Sequence, residues 1–167
     1  MKQILHFLLL FIPLFCLAQL KSPSEFLGYE LGTQFTRHHE VVDYYKYVSQ
    51  AEPNRMNLIE YGKTNERRPL LLATISTKAN MDNLEELRLE HMKGIKGEGT
   101  SEKAIVWLSY NVHGNESVST EASMQTIYDL LTTKSSYLED VVVLIDPCIN
   151  PDGRDRYVNW YNQFKNS

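Results

Sequence analysis

Apolar positions recur at two different periods along this chain, and the alternation between them sets the expected architecture. Val41, Tyr44, Tyr45 and Val48 follow helical spacing and predict a helix over 37–50. Apolar runs then predict strands at 56–62 and 69–76. Asn80 is a candidate N-cap for a second helix over 81–93, and the Gly- and charge-rich stretch from Gly94 to Ser101 reads as a loop. The run Ala104 to Tyr110 predicts a strand over 104–111. Val118, Ala122, Ile127 and Leu130, with Leu131 adjacent, predict an amphipathic helix over 117–133. A strand over 140–147 and a short helix over 154–164 complete the pattern. That last helix carries Tyr157, Trp160, Tyr161 and Phe164 as one stripe, for which core packing is the default role. Strands and helices in alternation imply an α/β fold with a layered sheet flanked by helices, and no internal repeat interrupts it.

Residues 1–18 stand outside this pattern. Lys2 supplies a positive end, Ile4 to Leu17 is nearly continuous apolar, and Cys16-Leu17-Ala18 offers small residues at the positions read before a cleavage point, so this segment is expected to be a signal peptide. The run is shorter than the roughly 18–20 residues needed to span a bilayer and is interrupted by Pro13, which argues against an anchor. Phe15 before Cys16 argues against a lipoprotein signal. Residues 19–36 then form a polar lead, and 37–167 the folded region. Removing the signal takes away one basic residue, which leaves 16 basic against 21 acidic residues and a net charge of about −5. With no Lys/Arg run, nucleic acid is excluded as an expected partner, as is stable membrane association after cleavage. The sequence sets no oligomeric state. Cys148, then the single cysteine, lies in an apolar run and reads as a buried small hydrophobe, so no disulfide forms within the chain.

Candidate chemistry sits where two of the predicted strands end. His113-Gly114-Asn115-Glu116 follows the strand at 104–111 and places an imidazole and a carboxylate three residues apart on a strand-to-helix turn. Both are donors that suit Zn²⁺, and Gly114 permits a sharp turn and a close backbone approach. Asn150-Pro151-Asp152-Gly153-Arg154 closes the next strand. In open α/β sheets ligands sit outside the carboxyl ends of strands, so the two motifs are expected to share one crevice.

These two strand-end motifs resemble the zinc carboxypeptidases of the carboxypeptidase A type. Tyr61-Gly-Lys-Thr64, Glu66-Arg67-Arg68-Pro69-Leu70 and the run Leu71 to Thr77 resemble that family's first hairpin, with one departure. The family usually has Gly where Arg67 stands, and a Cβ disfavours positive φ, so an altered turn is expected. The resemblance covers about 24–164. It implies a mixed β-sheet flanked by helices and a zinc ion held by His113 and Glu116. It also implies peptide hydrolysis in which zinc activates water, a downstream Glu takes the proton and an Arg binds the substrate's C-terminal carboxylate. The third zinc ligand in that family is a downstream His, and it has no matching position here, because His6, His38, His39 and His91 all precede His113. The general base is likewise expected downstream of Ser167, so no catalytic residue is assigned within the chain. The chain therefore reads as the N-terminal part of a catalytic domain, inactive alone, with exposed apolar surface where later elements pack.

The remaining candidates are weighed against plainer roles. His38, His39, Glu40 and Asp43 read as a solvated helix start before they read as a second metal site, and Glu121 reads as a helix-face charge. Arg154 and Arg156 are candidates for holding a substrate carboxylate, with Arg68 competing; Arg154 is the one carried forward. Three classes of function stay open: an exported zinc exopeptidase, a related zinc amide hydrolase acting on a cell-wall peptide or an acylated amino acid, and a non-catalytic binding module. The signal-peptide reading predicts that mass spectrometry of the exported protein finds Gln19 as its first residue. A retained Met1 or a diacylated Cys16 would place the protein on a membrane instead.

Overall fold

The computed structural model describes residues 19–165; the expected signal peptide at one end and Asn166 and Ser167 at the other lie outside them. The general base expected beyond Ser167 therefore also falls outside the described residues. The elements run α1 (Pro23–Leu27), α2 (His38–Ala51), β1 (Met56–Lys63), β2 (Pro69–Ile75), α3 (Lys78–Asp82), α4 (Leu84–Ile95), β3 (Ala104–Ser109), α5 (Val118–Leu131), a 3₁₀ turn (Ser135–Glu139), β4 (Val141–Asp146) and α6 (Pro151–Phe164). The four strands form one mixed sheet in the order β1-β2-β4-β3. β1 and β2 are an antiparallel hairpin, β4 lies antiparallel to β2, and β3 runs parallel to β4 from Ala104↔Val141 to Ser109↔Asp146. The layered α/β expectation holds.

One face of this sheet supplies the core. Leu71, Ala73 and Ile75 of β2 alternate inward, as a period of two requires, and join Val143 and Ile145 of β4. Val41, Tyr44, Tyr45 and Val48 of α2 and Met124, Ile127 and Leu131 of α5 close over them. The opposite face is covered only in part by α4, none of whose residues is buried. Among the described residues β3 has no second neighbour, and its apolar side chains are open: Trp107 is 64% exposed and Val106 39%. This is the uncovered apolar surface expected from the sequence.

Two elements differ from their predicted form. The helix expected over 81–93 is two helices broken at Asn83, because Thr77 caps the first by accepting from the Asn80 N–H. Asn80 is no cap: it is buried, and its amide donates to Ser76 Oγ and the carbonyls of Leu138 and Glu139, pinning α3 to the 3₁₀ turn. The lead also holds structure. Ser22 and Glu25 form a reciprocal cap that starts α1.

The β1–β2 hairpin turns through a three-residue loop. Arg67 N donates to Thr64 O, Thr64 N donates to Arg68 O, and Arg67 keeps the left-handed backbone with φ of 64° despite its Cβ. The expected change of turn does not occur. Docking explains why: Asp152 accepts from Thr64 Oγ1 (2.7 Å), Glu66 N (3.2 Å) and Arg68 Nη1 (2.7 Å), while Asp155 accepts from Arg68 Nε (2.8 Å) and His38 N (3.0 Å). Two carboxylates in the first turns of α6 thus hold the hairpin and the start of α2. His38 belongs to this structural seam. Burial lowers its pKa, and the neutral ring donates from Nε2 to Pro69 O at 2.9 Å.

Arg154 and Glu121 are placed against expectation. Glu121 is buried, not a helix-face charge, and Arg154 is fully enclosed beside it. The guanidinium donates to both Glu121 carboxylate oxygens (2.8 and 3.0 Å), to Thr36 O (2.6 Å) and to Ser117 O, and Thr36 N donates to Glu121 Oε1 (2.6 Å). The physical reason is that each charge finds the other in the interior and all partners are internal, so Arg154 presents no donor to a substrate carboxylate.

Two outcomes follow from these placements. Arg67→Gly is expected to stabilise the fold by about 0.5–1 kcal/mol, since a left-handed backbone costs an L-residue roughly 1–2 kcal/mol and the freer unfolded chain of glycine takes back part of it. A rise in Tm checks this, and an unchanged or lower Tm opposes it. Arg154→Ala strands the Glu121 carboxylate in the interior and is expected to cost about 3–5 kcal/mol in urea unfolding. Arg156→Ala, whose side chain is 71% exposed, should leave the midpoint near that of the parent.

Candidate metal centre

Because β3 and β4 are parallel and in register, their carboxyl ends lie side by side and both motifs leave from the same edge of the sheet. The pairing continues one step beyond the strands: Tyr110 N donates to Asp146 O and Ile149 N donates to Tyr110 O, each at 3.0 Å. The chain then turns at Asn111, whose φ of 56° is a left-handed value that Asn tolerates better than most residues. Glu116 N donates to His113 O at 3.0 Å and closes the turn that carries both candidate ligands. Ser117 Oγ donates to Gly114 O at 2.9 Å just before α5 begins.

Backbone meets backbone where the two motifs touch. A Cβ on Gly114 would stand 2.2 Å from the carbonyl carbon of Gly153, and one on Gly153 would stand 2.7 Å from Asn150 Nδ2, so neither position has room for a side chain. Asn150 joins the loops from the other side, accepting from Gly153 N (3.0 Å) as the cap of α6 and donating to Val112 O (3.1 Å). The two motifs, read separately in the sequence, are one packed unit.

His113 Nδ1 and Glu116 Oε1 lie 3.2 Å apart, and their side chains are 70% and 63% exposed. A nitrogen and an oxygen donor that converge at an open edge, anchored by a backbone too tight to drift, fit two positions in the coordination sphere of a zinc ion. Among the described residues no group of three His, Cys, Asp or Glu side chains is placed to hold a metal ion, so the third donor is not found with them.

Sequence reasoning passes over the polar residues beneath this edge. Tyr61, the extra residue where the β1–β2 register shifts between Glu60 and Gly62, sends its hydroxyl to Asp146 Oδ2 at 2.6 Å. Burial raises the pKa of the Asp146 carboxyl, which also accepts from Cys148 N at 3.3 Å. Tyr61 and Asp146 line a hollow of about 430 Å³ with Leu72, Trp107 and Ile149. An acidic residue ending a β-branched run is the signal that could have found them. Arg154, the candidate carried forward for a substrate carboxylate, is fully enclosed by its pairing with Glu121. No helix among the described residues is long and apolar enough to cross a membrane.

A family model described as zinc carboxypeptidase matches residues 41–166. The inactive metallocarboxypeptidase ECM14 of Saccharomyces cerevisiae is 32% identical over 74 residues, amounting to 41% of this chain and 17% of that protein. Among solved structures, carboxypeptidase A from Helicoverpa armigera superposes with a TM-score of 0.60 at 23% identity, over 82% of this chain and 30% of that one. Bovine thrombin-activatable fibrinolysis inhibitor, solved in complex with a tick carboxypeptidase inhibitor, superposes with a TM-score of 0.55 at 17% identity, over 79% of this chain and 35% of that one. At these identities the structural likeness establishes the layered α/β fold, and the chain spans about a third or less of each relative's length. With the family match running from α2 through α6 and enclosing both strand-end motifs, the chain belongs to the zinc carboxypeptidase family.

Proposed function

We propose that these residues carry the zinc-binding half of a carboxypeptidase active site, in an exported protein that removes C-terminal residues from peptides. The observation that carries this reading is the approach of His113 Nδ1 and Glu116 Oε1 to 3.2 Å on the edge where both motifs meet. Zinc bound there supplies Lewis acidity toward a carbonyl oxygen and lowers the pKa of water. The chain's own part is to bind and to orient. His113 and Glu116 provide two donors, the Gly114–Gly153 approach keeps their turn from shifting, and Asn150 ties that turn to the start of α6. The third ligand, the general base and the carboxylate-binding arginine that this chemistry needs are not assigned among these 167 residues. Location outside the cytoplasm rests on residues 1–18.

A second reading, a non-catalytic module that keeps the fold, is favoured by one observation: the yeast relative is itself an inactive metallocarboxypeptidase. The two readings differ in whether the intact protein hydrolyses peptides, which release of C-terminal amino acids in a chelator-sensitive manner decides.

In the intact protein His113→Ala and Glu116→Ala are each expected to lower zinc content, while His38→Ala and His39→Ala are not. Metal analysis of the four purified variants checks this, and unchanged zinc in the His113 variant ends the reading. The 167-residue chain alone is expected to show no peptidase activity, since loss of the general base by itself costs about 10²–10⁴ in rate. Robust chelator-sensitive release of C-terminal residues by that chain would refute it.

A further inference from the structure

The turn that carries His113 and Glu116 is spanned by one buried side chain that the proposed chemistry does not touch. Asn111 Nδ2 donates to His113 O at 2.7 Å and to Glu116 O at 3.3 Å, so a single amide nitrogen grips the turn at both candidate ligands. Its Oδ1 accepts from Cys148 Sγ at 3.3 Å. The two carbonyls require the nitrogen on their side, and a donating thiol matches the oxygen on the other, so both ends of the amide favour the same orientation. Burial pushes the Cys148 thiol up to about 12, so the donor keeps its proton at neutral pH. Cys148 is fixed in turn by its own N–H, which donates to Asp146 Oδ1 at the end of β4. A continuous path of hydrogen bonds therefore leads from one strand end, through Cys148 and Asn111, to the ligand turn on the other.

We propose that Asn111, oriented by the Cys148 thiol, is the positioning residue of the metal pair, setting the directions in which His113 and Glu116 present their donors. The proposal rests on the reading of His113 and Glu116 as zinc ligands. Both side chains are largely exposed, so their direction is inherited from the backbone, and among the described residues Asn111 is the side chain that reaches that backbone at both points, beside the Glu116 N to His113 O bond and the grip of Ser119 on Glu116 O. Groups that orient metal ligands without touching the metal commonly set affinity by about 10–100-fold.

An ordinary structural role makes a different demand. If Asn stands at 111 only because the left-handed backbone there suits it, glycine serves at least as well. Asn111→Gly keeps the backbone conformation and deletes the amide, so zinc affinity of the intact protein, measured by competition with a chromophoric chelator, separates the two roles. The expected result is a loss of about 10–100-fold with the far-ultraviolet circular dichroism of the parent retained. A second pair of variants leaves Asn111 in place: Cys148→Ser retains a donor to Oδ1 and is expected to bind zinc within about threefold of the parent, whereas Cys148→Ala is expected to bind about tenfold more weakly. Parent-like affinity in Asn111→Gly overturns the proposal. If that variant does not fold, equal affinities in the two Cys148 variants overturn it. His113→Ala is assayed alongside: its loss of zinc beside parent-like Asn111→Gly defeats only the positioning role, while its retention of zinc defeats the ligand reading and this proposal together.

Discussion

The ion pair between Arg154 and Glu121 is the constraint on which the rest of this molecule depends. Each charge enters the interior at a high desolvation cost, which is recovered only when the other arrives in the correct geometry with further hydrogen bonds around it. Here the two carboxylate oxygens, Thr36 O, Ser117 O and Thr36 N surround the pair and leave only Arg154 Nε, among the atoms of the two charged groups, without a partner. The partners come from four places: the lead before α2, the residue just before α5, the first turn of α5 and the first turn of α6. A pair of this kind selects one arrangement of those segments over nearby alternatives, since a small slip leaves a charge without its counterpart. The candidate ligands sit at the mouth of α5, and the second motif at the mouth of α6, so the same selection fixes one relative to the other.

Above the ion pair, the edge of the sheet is assembled from main chain more than from side chains. Gly114 and Gly153 lie so close that a single Cβ would part them, and Asn150 and Asn111 stitch the surrounding carbonyls and N–H groups. This construction holds His113 and Glu116 by their main chain, while their side chains meet only each other, Nδ1 to Oε1 at 3.2 Å.

What is legible in the sequence is what local spacing controls. The i, i+3, i+4, i+7 pattern from Val41 to Val48 marks α2 nearly to the residue, and the apolar runs mark all four strands, because each element buries a face whose period is written in its own residues. His113 and Glu116 are visible for the same reason: three positions separate them. Several of the misreadings involve partners distant in the chain. Glu121 reads as a surface charge because its counter-ion lies 33 residues away, and Asn80 reads as a cap because the carbonyls of Leu138 and Glu139 that claim its amide lie 58 and 59 residues away. Arg67 is expected to reshape its turn, yet Asp152 and Asp155 grip the neighbouring residues and hold the left-handed backbone in place. Nothing in the local pattern joins Asn111 to Cys148, which are 37 residues apart.

The strand order carries a consequence for how the chain acquires its structure. β4 is the last of the four strands to be synthesised, yet it occupies the middle of the sheet, between β2 and β3. Residues 19–75 can pair β1 with β2 and cover them with α2 among themselves, since those contacts are close in sequence. Among the described residues β3 has no such local partner, and the uncharged stretch from Ala104 to Ser109 is paired only when residues 141–146 enter beside it. Pairing across an intervening helix closes a long loop, so joining β3 to β4 is a slower step than closing the β1–β2 hairpin.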